Sequence, residues 1–151
     1  MPKLNEYIDI NSIDLHLKAE SELEAIVQMI NLAERSGYIL DKKQIGEDLI
    51  SHEIFNSSLT DCCTVVFRVS TDSVKDLHVF FGRFEQGIGY YSKNGHPIDL
   101  VFLVLSPPQL IDRCKTLVSK IKTLLHNFDF QEKLRSAHKA EDVLQALNVQ
   151  I

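Results

Sequence analysis

Apolar and polar residues alternate through Ile13, Asp14, Leu15, His16 and Leu17, the period of a half-buried strand. The period then lengthens. Leu23, Ile26, Val27, Ile30 and Ala33 recur at helical spacing behind an S-x-x-E capping box formed by Ser21 and Glu24. Gly37 is placed to end that helix in a left-handed conformation. Asp41, with Gln44 three residues on, predicts a second helix to about residue 55 through Ile45, Leu49 and Ile50.

A turn-like segment at 56–61 separates this helical pair from a run of strands. Residues 62–69 and 77–84 are short, β-branched and aromatic, and each reads as a strand. A loop with three glycines spans 85–97. Residues 98–105 follow, with Asp99 as their only polar member, and read as a strand buried on both faces. Such a strand needs a layer above and a layer below it. Pro107 and Pro108 then open the longest helix, whose stripe runs through Cys114, Leu117, Val118, Ile121 and Leu125. Asn127 is placed to cap a short helix around Phe130 and Leu134, and Val143, Leu144 and Leu147 mark a last one. The order is strand, two helices, three strands, three helices, which predicts an α/β sandwich on a mixed sheet.

Composition narrows the function more than the fold. The 151 residues carry a formal net charge of −5 and are 44% hydrophobic, ordinary for one globular domain spanning 1–151. No basic stripe supports nucleic-acid binding, and no apolar run approaches a membrane span. The amino-terminal residues lack the apolar core of a signal peptide, so the expected compartment is the cytoplasm. Cys62, Cys63 and Cys114 form neither a disulfide framework nor a zinc-ligand spacing, so no structural metal and no cofactor is expected. On a strand, Cys62 and Cys63 would point to opposite faces. P-loop, GxGxxG, GxSxG and HExxH patterns are missing.

Four strings give the chain a family likeness: IDLHLKAESELEAI at 13–26, TDSVKDLHVFFGR at 71–83, NGHPIDLVFLVLSP at 94–107 and NFDFQEKLRSAHKAEDVLQAL at 127–147. In order and spacing they resemble the fructose/mannitol/nitrogen-type enzyme IIA domain of the bacterial phosphoenolpyruvate-dependent sugar phosphotransferase system. The resemblance implies a three-layer α/β/α sandwich on a small mixed β-sheet. It also implies a phosphorelay, in which a histidine in a G-I-A-I-P-H-A string takes phosphate from the carrier HPr. Neutral imidazole suits that task because it is nucleophilic near pH 7.

Aligned without a gap, that string falls on residues 63–69, which puts Arg68 at the phosphoacceptor position and Phe67 at the preceding proline. The family's second histidine falls on Cys114, its arginine on His52, and its Ser-Thr pair on Ser57 and Ser58. A guanidinium stays protonated and has no lone pair to attack phosphorus. The implied protein is therefore a non-catalytic enzyme IIA-like regulator that acts by contact with an HPr-like phosphocarrier or a regulated target protein. Two other readings stay open. One is a working phosphocarrier with a displaced acceptor such as His78. The other is a sensor of small anions or metabolites that uses a remnant pocket at Arg68, His52, Ser57 and Cys114. Each residue also has a plainer reading: Arg68 as a solvent-facing strand-end arginine, Cys114 as an inert core thiol, and His52 and Ser57 as solvated helix-end and turn residues.

Overall fold

A computed structural model describes residues 2–37, 41, 43–44, 63–88 and 97–150. Strands β1 (Ile13–Leu17), β2 (Thr64–Ser70), β3 (His78–Phe84) and β4 (Leu100–Ser106) form one sheet in the order β1-β3-β4-β2. β1 runs parallel to β3 and β2 parallel to β4, while the central β3 and β4 are antiparallel. The sheet is mixed, as the element order predicts.

Helix α1 (Glu22–Arg35) covers one face of the sheet. Helices α2 (Ile111–Leu125), α3 (Phe128–Ser136) and α4 (Ala140–Ala146) cover the other. Every residue of β4 is buried, because its even positions Leu100, Phe102 and Val104 enter the core beneath α2–α4 and its odd positions Val101, Leu103 and Leu105 enter the core beneath α1. This is the two-sided burial that its apolar run required.

Local chemistry sets the helix ends. The Ser21 hydroxyl accepts from the Glu24 amide at 3.2 Å, and Gly37 adopts φ +83 just beyond α1. The Glu24 carboxylate accepts from the amide of Glu20 instead of Ser21, so the box closes one residue early. Asn127 accepts from the Phe130 amide at 3.1 Å and caps α3 as anticipated. Asp41 accepts from the Gln44 amide at 3.1 Å, as a helix start requires; most of the predicted second helix lies outside the described residues.

Two local expectations need correction. β1 does not keep all three apolar residues on one face, because its pairing with β3 slips between Asp14 and Leu17. The extra residue sends Ile13 and Leu15 into the α2–α4 core and Leu17 into the α1 core. Cys63 is not a strand residue but precedes β2 with φ +62, so the expected alternation of Cys62 and Cys63 across the sheet does not hold at Cys63; Cys62 lies outside the described residues.

Candidate functional site

β2 is an edge strand, and its register with β4 fixes which way each side chain points. Arg68 pairs with Val104, and Val104 with Val79 of β3. Cross-strand partners share a face, and both valines belong to the core beneath α2–α4. Arg68 therefore turns toward α2, half-buried, on the face that also holds Cys114. It is neither at the strand end nor fully solvated, which corrects its plainer sequence reading. Two residues on, Ser70 closes β2 on the same face opposite Ser106, which closes β4. The Thr71 amide donates to the Ser106 carbonyl at 2.8 Å and locks those strand ends together.

Cys114 is fully buried in α2. Burial pushes its thiol pKa up, against the opposing pull of the Arg68 guanidinium and a side-chain hydrogen bond with Ser106. The thiol thus stays protonated and is no ready nucleophile. The buried Ser106 hydroxyl also donates to the Pro107 carbonyl at 2.8 Å. Among the described residues no ion pair includes Arg68. The cluster offers donors, namely a forked guanidinium and the Ser70 hydroxyl, and among the described residues no carboxylate pairs with the guanidinium.

His78 lies elsewhere. It opens β3 opposite Leu105, and Leu105 belongs to the core beneath α1. It therefore faces away from Arg68, across the thickness of the sheet. The ring is 7% exposed, sits 4.8 Å from Phe80 between centroids, and has Nε2 2.8 Å from the buried Ser12 hydroxyl. Ser12 in turn donates to Asp9 at 3.2 Å. Burial lowers the His78 pKa to about 4, against the raising influence of Asp9. His52 and Ser57, the other expected pocket residues, lie outside the described residues.

The structure places Arg68 near Cys114 and adds two neighbours that sequence reasoning does not name, Ser70 and Ser106. Their signal is positional: each is a serine that ends an apolar strand, and only the register makes them neighbours. A separate cavity of about 300 Å³ lies between α3 and α4, lined by Lys133, Ser136, Ala137, Asp142, Gln145 and Ala146. None of these residues belongs to β2 or α2. Among the described residues no three His, Cys, Asp or Glu side chains converge as metal ligands would.

The family model for the phosphoenolpyruvate-dependent sugar phosphotransferase system, EIIA 2, matches residues 6–149. A fructose-specific EIIABC component of the phosphotransferase system from Bacillus subtilis (strain 168) is 22% identical over 97% of the chain, which spans only 23% of that relative. The crystal structure of the nitrogen regulatory protein IIA-Ntr from Neisseria meningitidis superposes with TM-score 0.80 at 20% identity, over 95% of this chain and 97% of that one. The mannitol enzyme IIA of Escherichia coli, solved in complex with phosphorylated enzyme IIB, superposes with TM-score 0.73 at 16% identity, over 93% and 97% of the two chains.

Proposed function

Because the chain belongs to the EIIA 2 family of the phosphoenolpyruvate-dependent sugar phosphotransferase system, we propose that it is a regulatory member that acts by protein contact and does not relay phosphate. One observation carries this reading. In our ungapped alignment the family's acceptor histidine falls on Arg68, which turns toward α2 beside a protonated, buried Cys114. Neither side chain is equipped to attack phosphorus at neutral pH. His78 does not compensate, because it faces the opposite side of the sheet and is sealed behind Ser12. We read Arg68 as serving a binding function, not a transfer function.

The partner we propose is a protein of the relay, an HPr-like phosphocarrier or a phosphorylated component like the enzyme IIB held by the mannitol relative, or a target that these regulate. No helix among the described residues is long and apolar enough to cross a membrane. From the family membership we propose a cytoplasmic location. The direct test is incubation with enzyme I, HPr and radiolabelled phosphoenolpyruvate. No stable label is expected on this chain. Label recovered on any histidine would overturn the reading.

A further inference from the structure

Half-burying a guanidinium without a counter-charge is costly, since it forfeits hydration and gains no ion pair in return. Among the described residues no carboxylate pairs with Arg68, whereas Arg35 pairs with Asp14 and Arg135 with Asp99. Arg83 is satisfied as well, donating to three carbonyls at the end of α3. Arg68 is thus the one described arginine turned into the molecule with no acceptor among the described residues. Beside it on the same face stands the half-buried Ser70 hydroxyl, with the buried Ser106 across the strand pair.

The chemistry that fits is a tetrahedral oxyanion. A guanidinium fork takes two oxygens in parallel, and a serine hydroxyl two residues along the same strand face can take a third. The chain leaves β4 through Pro107 directly into the turn that starts α2, so the positive end of that helix lies at the same end of the sheet. Its first-turn acid, Asp112, is exposed. We infer that Arg68 and Ser70 form a non-covalent site for a phosphate-type oxyanion, which the protein holds without accepting it. The inference rests on the reading that phosphotransfer is lost, and it gives that reading a means of regulation: occupancy of the site would make partner binding depend on phosphate.

The oxyanion has two possible sources, free phosphate or a phosphoryl group carried by a protein. The test has an arm for each. In the first, inorganic phosphate is titrated into the ¹⁵N-labelled chain at constant ionic strength. Saturable shifts are expected at the Arg68 side chain and at the Ser70, Thr71 and Ser106 amides. Arg68→Gln should weaken binding by about tenfold or more, and Arg68→Lys, which keeps the charge without the fork, by less. The lysine variant also guards against a loss that merely reflects misfolding. In the second arm, calorimetry compares a histidine-phosphorylated phosphocarrier with its unphosphorylated form. Tighter binding of the phosphorylated form, lost in Arg68→Gln, assigns a protein-borne source. Equal binding of both forms alongside a phosphate response assigns a free one. Absence of any Arg68-dependent response in both arms overturns the inference. Failure of the underlying reading is seen separately, as label on a histidine in the transfer assay.

Discussion

Cys63 holds a backbone conformation that suits another residue. Its φ of +62 lies in the left-handed region, where a Cβ costs about 1–2 kcal/mol. The ungapped alignment puts a glycine of the family string at this position, a residue that adopts such a φ without the steric cost of a Cβ. Cys63→Gly should relieve that cost, offset by the roughly 0.5–1 kcal/mol of extra chain entropy that glycine loses on folding. A net gain of about 0.5–1 kcal/mol in urea unfolding is expected, and Cys63→Val should instead lose about 1 kcal/mol or more. Equal stability of the two variants would refute the argument. His78 supplies a second test at this scale. Burial holds its folded-state pKa at about 4, below the ordinary imidazole value of 6.5. Above pH 6.5 the ring is neutral in both states and contributes no pH dependence. As pH falls from 6.5 toward 4 the unfolded chain takes up the proton first, so stability is lost across that window and levels off below it. His78→Gln, which does not titrate, should lose less stability between pH 7 and pH 5, by a few kcal/mol at most, in paired denaturant titrations. That buried imidazole was legible in the sequence only as a histidine near a strand start. Its seal by Ser12, 66 residues away, depends on tertiary contact.

At the scale of elements, periodicity located β1 and helices α1 to α4, while short apolar, β-branched and aromatic runs located β2, β3 and β4. The pattern could not show the bulge in β1, which is a property of pairing with β3 and not of β1 alone. Nor could it show how near α1 approaches the sheet. That approach is set by Gly82 in the middle of β3. A Cβ built there meets Leu17 Cδ1 at 2.6 Å and Met29 Sδ at 2.6 Å. Both atoms belong to side chains able to shift, so Gly82→Ala should cost about 1–2 kcal/mol and Gly82→Val about 3 kcal/mol. Met29→Ala alone opens a cavity and should cost about 2–4 kcal/mol. In the Gly82→Ala/Met29→Ala double variant the added methyl occupies part of that cavity. The combined loss should fall short of the sum of the single losses by about 1 kcal/mol in a double-mutant cycle. Strict additivity would mean that some other contact sets the spacing of α1 from the sheet.

Across the whole molecule, the two cores differ in how they are closed. The α1 side is covered by a capped helix that the sequence announces. The other side is completed by a segment whose role its own pattern does not reveal. Leu4 is fully buried among the residues of α2–α4, yet it stands in a polar stretch with no period of its own. What fixes it is non-local: the Leu4 amide donates to the Val149 carbonyl at 2.8 Å, and the Asn5 amide to the Leu147 carbonyl at 3.0 Å. Three residues later the Tyr7 carbonyl accepts from the Val79 amide of β3 at 2.8 Å. The early segment thus joins the end of α4 to the start of the central strand, closing the helical layer over the same sheet face that carries Arg68. Leu4→Ala removes that plug and should cost about 3 kcal/mol, the usual penalty for a leucine truncated in a core that cannot collapse around it. The loss should also be uneven. Amides of α4 should exchange through a local opening in the variant, while those of β3 and β4, buried between two layers, should still exchange only with global unfolding. Native-state hydrogen exchange separates the two. If α4 and β4 lose protection in parallel, the segment contributes only general core volume; if α4 loosens first, the fold is held shut at this junction.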